Sequence, residues 1–268
     1  MSANLTAEKN NKKSPRQTEP EEEPKKKETT LEFIASMAAV LITGLFIITF
    51  NLQAFEIPSS SMEKTLLIGD HVFVDRISFA PRSSWMPLTH YRDIQRDDIF
   101  VFLSPTTPGL YVVKRVIGLP GDRIRLDHGV LFRNGEKVPD TKVDYEGLPP
   151  DPYAENFPSI PPDQAMYPVD ASWRVELSSY IKNDELIVPK DRYFAMGDHR
   201  NVSYDSRYWG FVPKENVIGR PLFIYWSFKT PEGMEGLPVK EQMRFLLGHK
   251  ILHFFDETRW GRTLSRVK

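Results

Sequence analysis

The sequence contains no cysteine among its 268 residues. This absence excludes disulfide bonds, thiolate catalysis and zinc sites built on cysteine. The chain also has no excess of charge of one sign, because 35 Lys and Arg residues stand against 36 Asp and Glu residues. It therefore lacks the basic surplus that is typical of nucleic-acid-binding proteins, and we expect no nucleic-acid partner. No segment repeats within the chain, whose length allows one large domain or two small ones.

The first 30 residues are poor in apolar side chains and rich in charge, with seven Lys or Arg and six Glu residues. Acidic Glu21 to Glu23 are followed closely by basic Lys25 to Lys27. Such a segment cannot bury enough apolar surface to offset the entropy that is lost on ordering. We therefore expect residues 1–30 to form a disordered tail.

A long uncharged stretch follows this tail. Phe33 to Phe50 contains 18 residues without a charge, which as a helix would cover roughly 27 Å. The hydrocarbon core of a bilayer is about 30 Å thick, and Leu52 to Phe55 could lengthen the stretch. A buried core helix and a cleaved signal peptide are the alternatives, but Leu52-Gln53-Ala54 matches a small-x-small cleavage site poorly. We interpret residues 31–54 as an uncleaved membrane anchor.

The basic residues beside the uncharged stretch predict its orientation. Lys25 to Lys27 lie just before it, whereas the first basic residue after it is Lys64. Because positively charged flanks of an anchor stay on the cytoplasmic side, we expect a cytoplasmic N-terminus. Everything from Glu56 onward would then lie outside.

The remaining residues indicate a mainly β protein. Short segments rich in Val, Ile, Phe and Tyr alternate with turn residues, which is typical of strands. The predicted strands are His71 to Arg76, Ile99 to Leu103, Leu110 to Ile117, Gly129 to Arg133, Leu186 to Val188, Arg192 to Met196 and Pro221 to Phe228. Asn134-Gly135 predicts a two-residue hairpin turn, since both residue types tolerate positive φ. Eight prolines from Pro139 to Pro168 favour an irregular appendage over central strands.

Apolar residues near the C-terminus recur at helical spacing. The stretch from Lys240 to Glu257 predicts an amphipathic helix, and four of the last ten residues are Lys or Arg. The apolar positions are Met243, Leu246, Leu247, Ile251, Phe254 and Phe255. This helix either docks on the domain or rests on a bilayer surface with its basic end near anionic lipid. His249 and His253 lack the intervening Glu of the metalloprotease helix, so we expect no metal site.

Three serines, Ser59 to Ser61, follow the uncharged stretch within Phe55 to Asp75, after Pro58. A serine hydroxyl is a poor nucleophile alone, so a base must come from elsewhere in the chain. His199 lies near Asp198 and Asp205 in sequence, so the chain contains the residue types of a Ser-His-Asp triad with Ser61. Triads are recognised by geometry, however, and proximity in the chain is weak support for one.

A lysine on a predicted strand is the other candidate base. Strand alternation places Lys114 on one face with Leu110, Val112 and Val116. An ammonium among aliphatic side chains loses solvation and its pKa falls, so the neutral amine can act as a general base near pH 7. Arg115 cannot do so, because guanidinium does not deprotonate in proteins. The alternative is a surface lysine whose amine reaches water.

Four separated blocks together resemble the type I (leader) signal peptidases, which are membrane-anchored serine proteases with a Ser-Lys pair. The blocks are Ile57-Pro-Ser-Ser-Ser-Met62 with Thr65-Leu66, Gly69-Asp-His-Val-Phe-Val74, Tyr111-Val-Val-Lys-Arg-Val-Ile-Gly-Leu-Pro-Gly-Asp122 and Gly197-Asp-His-Arg-Asn-Val-Ser-Tyr-Asp-Ser-Arg-Tyr-Trp-Gly-Phe-Val-Pro213. The resemblance covers the anchor and residues 55–228. It implies that Ser61, directly before Met62, is the nucleophile and that Lys114 is the general base.

The resemblance implies further roles at the site. Ser59 would donate its hydroxyl to the oxyanion of the tetrahedral intermediate, together with the backbone N–H of the nucleophile. Ser203 would orient the lysine amine, and Asp205 and Arg207 would brace their loop as an ion pair. These are the parts that acyl transfer requires, and neither a metal nor an organic cofactor is implied.

The chain departs from the family pattern at the rim of this site. Lys64 stands where proline is usual, and Ser60 stands where glycine is usual between the two serines. The run from His199 to Ser203 reads His-Arg-Asn-Val-Ser where Asn-Arg-Asp-Asn-Ser is usual. The chemistry-bearing residues remain, so we expect these changes to affect substrate preference and rate and to leave the reaction class unchanged.

The predicted fold class is mainly β, with a single N-terminal transmembrane helix, an antiparallel β catalytic domain with a β/loop appendage, and a C-terminal helix. The predicted parts are a cytoplasmic tail at 1–30, an anchor at 31–54, a catalytic domain at 55–133 and 191–230, a Pro-rich appendage at 134–190 and an amphipathic, basic segment at 231–268.

The resemblance implies removal of N-terminal signal peptides from exported preproteins through an acyl-enzyme. The implied location is the bacterial inner membrane, crossed once, with the catalytic domain on the outer side. Expected partners are preprotein signal peptides, the lipid bilayer and the protein export machinery. The alternatives are an inactive membrane-tethered β scaffold that binds export clients, and a protease that serves one dedicated client.

Overall fold

A computed structural model of the protein describes residues 29–80, 91–139, 141–231 and 247–267. The predicted disordered tail therefore lies outside the described residues, apart from residues 29 and 30. The chain divides into two compact units, Met1–Thr43 and Gly44–Lys268. The described part of the first unit is helical from Thr30 onward, and the second unit contains the described strands.

The first helix, α1, spans Thr30–Phe50 and contains the uncharged stretch. The side chains of Ile47 and Ile48 lie outside the described residues. Counting only the residues that the structure describes, no helix is long and apolar enough to cross a membrane. The expectation that the helical segment continues through residue 54 is wrong. Leu52–Glu56 is extended instead, because it pairs with a neighbouring strand over all five of its residues.

Thirteen strands are present in the described residues. They are β1 (Leu52–Glu56), β2 (Asp70–Asp75), β3 (Ile99–Leu103), β4 (Tyr111–Gly118), β5 (Arg123–Asp127), β6 (Val130–Arg133), β7 (Glu136–Lys137), β8 (Ile181–Lys182), β9 (Glu185–Ile187), β10 (Arg192–Met196), β11 (Val212–Pro213), β12 (Val217–Ser227) and β13 (Ser265–Arg266). The first sheet has the order β1-β2-β12-β3-β4-β10-β11, with β13 beside β12. The second has the order β7-β6-β5-β9-β8. Every pairing of these strands is antiparallel, which confirms the mainly β, antiparallel prediction.

The second sheet begins earlier in the chain than predicted. Its central strand β5 was not predicted, although Arg123-Ile-Arg-Leu-Asp127 alternates charged and apolar residues and buries Ile124 and Leu126. The hairpin at Asn134-Gly135 is confirmed, because β6 and β7 pair across it and both turn residues have positive φ, 56° and 84°. The sheet of the appendage therefore starts before residue 134.

The proline-rich segment contains short helices and buries its aromatic residues. The α-helices that follow α1 are α2 (Pro152–Glu155), α3 (Ala171–Glu176) and α4 (Ser206–Trp209), and the 3-10 helices are Ser60–Met62, Pro162–Gln164, Leu177–Tyr180 and Lys214–Asn216. Tyr153, Phe157 and Trp173 are at most 2% exposed and join one core cluster with Phe194 of β10. Burial of aromatic rings against β10 thus holds the appendage to the first sheet.

The described part of the C-terminal segment is helical over residues 247–252, and the first seven residues of the predicted helix lie outside the described residues. Three of its described apolar residues, Leu247, Ile251 and Phe255, are 64%, 70% and 80% exposed. Phe254 instead packs against Trp226 of β12, with ring centroids 5.8 Å apart. The chain then returns to the first sheet, where Ser265–Arg266 pairs with β12. The sequence predicted only a helix in this segment and did not predict this last strand, which has only two residues.

Candidate active site

Ser61 lies in the 3-10 helix that connects β1 to β2. Ile57 and Met62 on either side of it are 3% and 0% exposed, so the turn is fixed by two buried apolar residues. Ser59 occupies the N-cap position without a side-chain capping bond, and its Oγ lies 3.4 Å from the Oγ of Ser61. Because the first N–H groups of a helix have no partner within that helix, the N–H of Ser61 is available to an acceptor.

Lys114 lies on β4, and its side-chain amine contacts the hydroxyl of Ser61. Its Nζ lies 2.5 Å from the Oγ of Ser61, and the two residues are 3% and 7% exposed. Burial lowers the pKa of Lys114 to about 8, and the charge of Arg207 acts in the same direction, whereas Asp205 and Asp198 oppose it. Loss of solvation disfavours the ammonium, so the neutral amine is accessible near neutral pH.

A glycine allows the chain just after β10 to approach Ser61. A Cβ on Gly197 would overlap the carbonyl oxygen of Ser61 and the side chain of Ser203, so only glycine fits there. The next loop residues continue this contact, because the N–H of His199 donates to the Ser61 carbonyl at 3.2 Å. Sequence reasoning did not single out Gly197 by itself, although it opens the last block of the resemblance.

Asp205 and Arg207 form a buried ion pair beside this glycine. The Arg207 guanidinium donates two hydrogen bonds of 2.9 Å to the Asp205 carboxylate, and the residues are 2% and 0% exposed. The N–H of Gly197 donates to Asp205 and to the Oγ of Ser203, each at 3.1 Å. Burial alone would raise the pKa of Asp205, but the charge and hydrogen bonds of Arg207 outweigh it and hold that pKa below its ordinary value. The orienting role of Ser203 toward Lys114 stays a prediction.

A second buried ion pair connects three of the sequence blocks. Arg115 follows Lys114 on β4 and donates to both oxygens of Asp198, at 2.7 and 2.6 Å. Thr65, just after the nucleophile turn, donates to the same carboxylate at 2.5 Å. Bidentate arginine pairs fix geometry as well as adding energy, so this network holds β4 and the turn that contains Ser61 in register. Sequence reasoning missed it, since it treated Arg115 only as a residue that cannot be a base.

Three of the residues that depart from the family pattern form hydrogen bonds to the same backbone segment, residues 143–146. Lys64 donates to the Val143 carbonyl at 2.8 Å, the Nε2 of His199 lies 2.6 Å from the Glu146 carbonyl, and Asn201 donates to the Tyr145 carbonyl at 2.6 Å. A carbonyl only accepts, so this Nε2 carries the proton and is bonded away from Ser61. Residues 143–146 of the appendage are thereby attached to the loop that contacts Ser61.

Side chains of the types that bind metal ions lie close together at one place in the described residues, near the C-terminus. Ligand atoms of His253, Asp256 and Glu257 lie within 4.8 Å of one another. These groups already pair with neighbours, since His253 contacts Asp256 at 2.9 Å and His249 contacts Glu257 at 2.7 Å. We explain them as ion pairs around a helix end.

Removal of Arg207 tests the importance of the buried ion pair. Arg207→Met leaves the Asp205 carboxylate buried and unpaired, so we expect the free energy of unfolding to fall by about 3–5 kcal/mol in urea titrations. Because Arg207 helps to lower the pKa of Lys114, the pH profile of activity should also move to higher pH. Arg123→Met is the matched control, since Arg123 pairs with Glu185 at a half-exposed position and should change little. Equal losses in both variants would contradict this account.

The site defines a class of enzyme. A buried hydroxyl in contact with a buried amine of lowered pKa is the arrangement of a serine hydrolase whose base is lysine. The sequence profile of a known family, described as signal peptidase, peptidase S26, matches residues 30–226. The chain belongs to this family, and it is a serine endopeptidase of the kind that removes signal peptides.

Several curated relatives support this assignment. Signal peptidase I of Buchnera aphidicola is 32% identical over 253 residues, which is 79% of this chain and 80% of that protein. Probable signal peptidase I-2 of Synechocystis is 34% identical over 217 residues, again 79% of this chain and 80% of that protein. Signal peptidase I of Pseudomonas aeruginosa is 33% identical over 226 residues, 78% of this chain and 76% of that protein.

Proposed function

We propose that this protein removes N-terminal signal peptides from exported preproteins with Ser61 as nucleophile and Lys114 as general base. The observation that carries the proposal is the 2.5 Å distance between the Lys114 amine and the Ser61 hydroxyl at a buried position. An ordinary lysine is protonated at neutral pH and could not accept the serine proton. The lowered pKa of Lys114, about 8, removes this obstacle.

The reaction then proceeds by acyl transfer. Lys114 takes the proton of Ser61 as the hydroxyl oxygen attacks the carbonyl carbon of the scissile peptide bond. The resulting ammonium gives that proton to the leaving amine, so the peptide bond breaks and an ester to Ser61 remains. Water, deprotonated by the same lysine, hydrolyses this ester and restores the free serine. One amine therefore serves as base and acid in turn.

Negative charge develops on the carbonyl oxygen during both steps. We assign its stabilisation to the Ser59 hydroxyl and to the backbone N–H of Ser61. The Ser59 hydroxyl is not used as a helix cap and lies on the same side of the turn as the nucleophile, 3.4 Å from it. Ser59→Ala should lower kcat by about 100-fold or more with little change in KM, whereas Ser60→Ala should not. Equal effects of the two variants would remove Ser59 from this role.

Three other residues support the base and the nucleophile in this proposal. Ser203 orients the Lys114 amine, and the Asp205–Arg207 ion pair holds the loop that carries Ser203. Two observations favour these roles. Asp205 and Ser203 accept hydrogen bonds from the same N–H, that of Gly197, and the Asp205 and Arg207 charges act on the pKa of Lys114 in opposite directions.

The substrate lies extended in this proposal, paired with an edge of the enzyme's sheet. Pairing through the main chain supplies affinity, while pockets for alternate side chains supply selectivity. Small residues at the first and third positions before the cut are expected from the family resemblance. The rim residues Lys64, His199 and Asn201 adjust this preference, because they set the position of residues 143–146 beside the catalytic loop.

We further propose that residues 31–50, the helical part of the predicted anchor, attach the protein to the bacterial inner membrane. The uncharged run from Phe33 to Phe50, the α1 helix over Thr30–Phe50, and the lysines before the run support a single pass with a cytoplasmic N-terminus. The site would then lie outside, near the lipid bilayer and the protein export machinery that supplies preproteins. Release of the full chain from membranes by alkaline carbonate would contradict attachment by an integral segment.

Cleavage of a preprotein by the purified full chain tests the proposed function. We expect one cut, at the boundary of the signal peptide, with small residues before it. An intact preprotein after prolonged incubation would instead favour the membrane-tethered scaffold that binds without cutting. Processing of a single preprotein among many would favour a protease dedicated to one client, which shares the mechanism.

A further inference from the structure

A buried carboxylate that the proposed reaction does not use lies at the start of β2. Asp70 is 0% exposed and accepts hydrogen bonds from three segments of the chain. The N–H of Leu67 donates to it at 2.9 Å, the Ser227 hydroxyl at 2.6 Å and the Arg262 guanidinium at 2.6 Å. A buried charge is costly unless it is paired. The carboxylate therefore depends on Arg262, which supplies the opposite charge.

Arg262 binds more than this carboxylate. Its Nη2 also donates to the backbone carbonyl of Thr65 at 3.0 Å, so one guanidinium connects both ends of the loop from Thr65 to Asp70. The hydroxyl of Thr65 donates to Asp198, the partner of Arg115, and this bond fixes Thr65 from its other side. Because a guanidinium carries its donors in a rigid plane, it sets the spacing of the groups that it joins.

Backbone hydrogen bonds connect Thr65 to Ser61. The N–H groups of Thr65 and Leu66 both donate to the carbonyl of Met62, at 3.0 and 2.8 Å, and Met62 directly follows Ser61. A displacement of Thr65 is therefore passed on to the Ser61 hydroxyl. The contact of 2.5 Å between this hydroxyl and the Lys114 amine leaves little room for such a shift. A misplacement of about 1 Å can slow an enzymatic reaction by about 100-fold.

The segment that carries Arg262 is anchored on β12. The N–H of Arg259 donates to the Ser227 carbonyl at 2.8 Å, and β13 pairs with β12 just after Arg262. The guanidinium therefore reaches the loop from a fixed base. The match to the signal peptidase profile ends at residue 226, so this segment lies beyond it. None of the four sequence blocks contains Arg262, and the sequence indicated no role for it at the site.

We propose that Arg262 is a positioning residue for the cleavage reaction. Its guanidinium holds the Thr65 carbonyl against Asp70. It thereby keeps the Ser61 hydroxyl at the Lys114 amine. This role rests on the proposed function and extends it, since it gives the C-terminal segment a part in the reaction. Arg262 does not touch the reacting atoms. Its removal should therefore slow the chemical step and leave substrate binding unchanged, because the strand edges that would pair with the substrate are held by their own ladders.

Cleavage kinetics of an Arg262→Ala variant of the full chain test this role. We expect kcat to fall by about tenfold or more and KM to stay within about twofold of wild type. Arg174→Ala removes an exposed arginine from α3 and should cleave as wild type does. An unchanged kcat in Arg262→Ala, or a loss carried by KM, would overturn this role alone if wild type cleaves. A wild-type protein that cleaves no preprotein would overturn the proposed function with it.

Chemical rescue separates positioning from a general loss of structure. The Arg262 side chain is 28% exposed, so its removal leaves an opening that a small solute can enter. Methylguanidinium at millimolar concentration should raise the kcat of Arg262→Ala by about fivefold or more, with saturation, because it offers the same planar donors. Methylammonium should raise it less, and neither cation should affect Arg174→Ala. Absence of rescue, or equal rescue by both cations, would overturn the role of the guanidinium.

A double variant gives a second test. Arg262→Ala leaves Asp70 buried without its cation, which should lower the melting temperature. Adding Asp70→Asn removes the unpaired charge, so the melting temperature should recover. We expect kcat to stay low in this double variant, because the Thr65 carbonyl still lacks its donor. Recovery of kcat together with the melting temperature would overturn the positioning role and leave Arg262 as a structural residue.

Discussion

Ser61→Ala and Lys114→Met should each lower kcat/KM for a preprotein by about 10⁴-fold or more. In the proposed mechanism the two side chains act as one unit, because the amine activates the hydroxyl that it contacts at 2.5 Å. Residues that act as a unit give non-additive losses, so the double variant should be no slower than the worse single variant. Initial rates of cleavage of a purified preprotein would measure all three.

Matched substitutions distinguish chemistry from damage to the fold. Ser60→Ala changes the neighbouring serine in the same 3-10 helix, and Lys137→Met removes an exposed lysine from β7. Both should cleave within a few-fold of wild type. Cleavage by Ser61→Ala at a tenth of the wild-type rate or faster would contradict its assignment as the nucleophile. Multiplicative losses in the double variant would show that the two residues act independently.

The rate of cleavage should rise steeply with pH below about 8. The reactive form has a neutral Lys114, whose pKa is lowered by burial from its ordinary value of 10.5 to about 8. Its neutral fraction grows tenfold for each pH unit below this pKa, so kcat/KM at pH 6 should be about one hundredth of the plateau above pH 9. A profile of kcat/KM from pH 5.5 to 10 would measure this. A rate that is flat across pH 6 to 8 would contradict the lysine base.

The same burial predicts that the base lowers the stability of the enzyme. The unfolded chain binds a proton at Lys114 up to about pH 10.5, whereas the folded chain releases it near pH 8. Below pH 8 this difference costs about 3 kcal/mol, and the cost declines as pH rises toward 10.5. Lys114→Met should therefore unfold at higher urea concentration than wild type at pH 7, and this advantage should disappear near pH 10.5. A loss of activity joined to a gain in stability is not expected for a structural lysine.

The sequence predicted local features of the fold well. β3 and β10 have the predicted bounds. β3 is a run of five apolar residues, and β10 has two adjacent aromatic residues, Tyr193 and Phe194. The hairpin at Asn134-Gly135 is predictable because few residue pairs tolerate its backbone geometry. By contrast, β5 has only two apolar residues and two arginines, so it escaped recognition until its partners on both sides were known.

The candidate site could be predicted only in part from the sequence. Ser61 and Lys114 lie in blocks whose combination is specific, even though 53 residues separate them. The Arg115–Asp198 ion pair and the attachment of residues 143–146 to His199 join segments that are distant in the chain. No local pattern encodes such contacts, since each depends on how segments that are distant in the chain pack together.

Direct titration of the Lys114 amine tests the central claim of a neutral lysine at the nucleophile. Full-length protein labelled with ¹⁵N at lysine Nζ would be followed by NMR across the pH range, with Lys114→Met identifying the signal. The account predicts a midpoint near 8, and a parallel midpoint in the rate of cleavage. An ammonium signal that persists above pH 10 in a protein that still cleaves would contradict it.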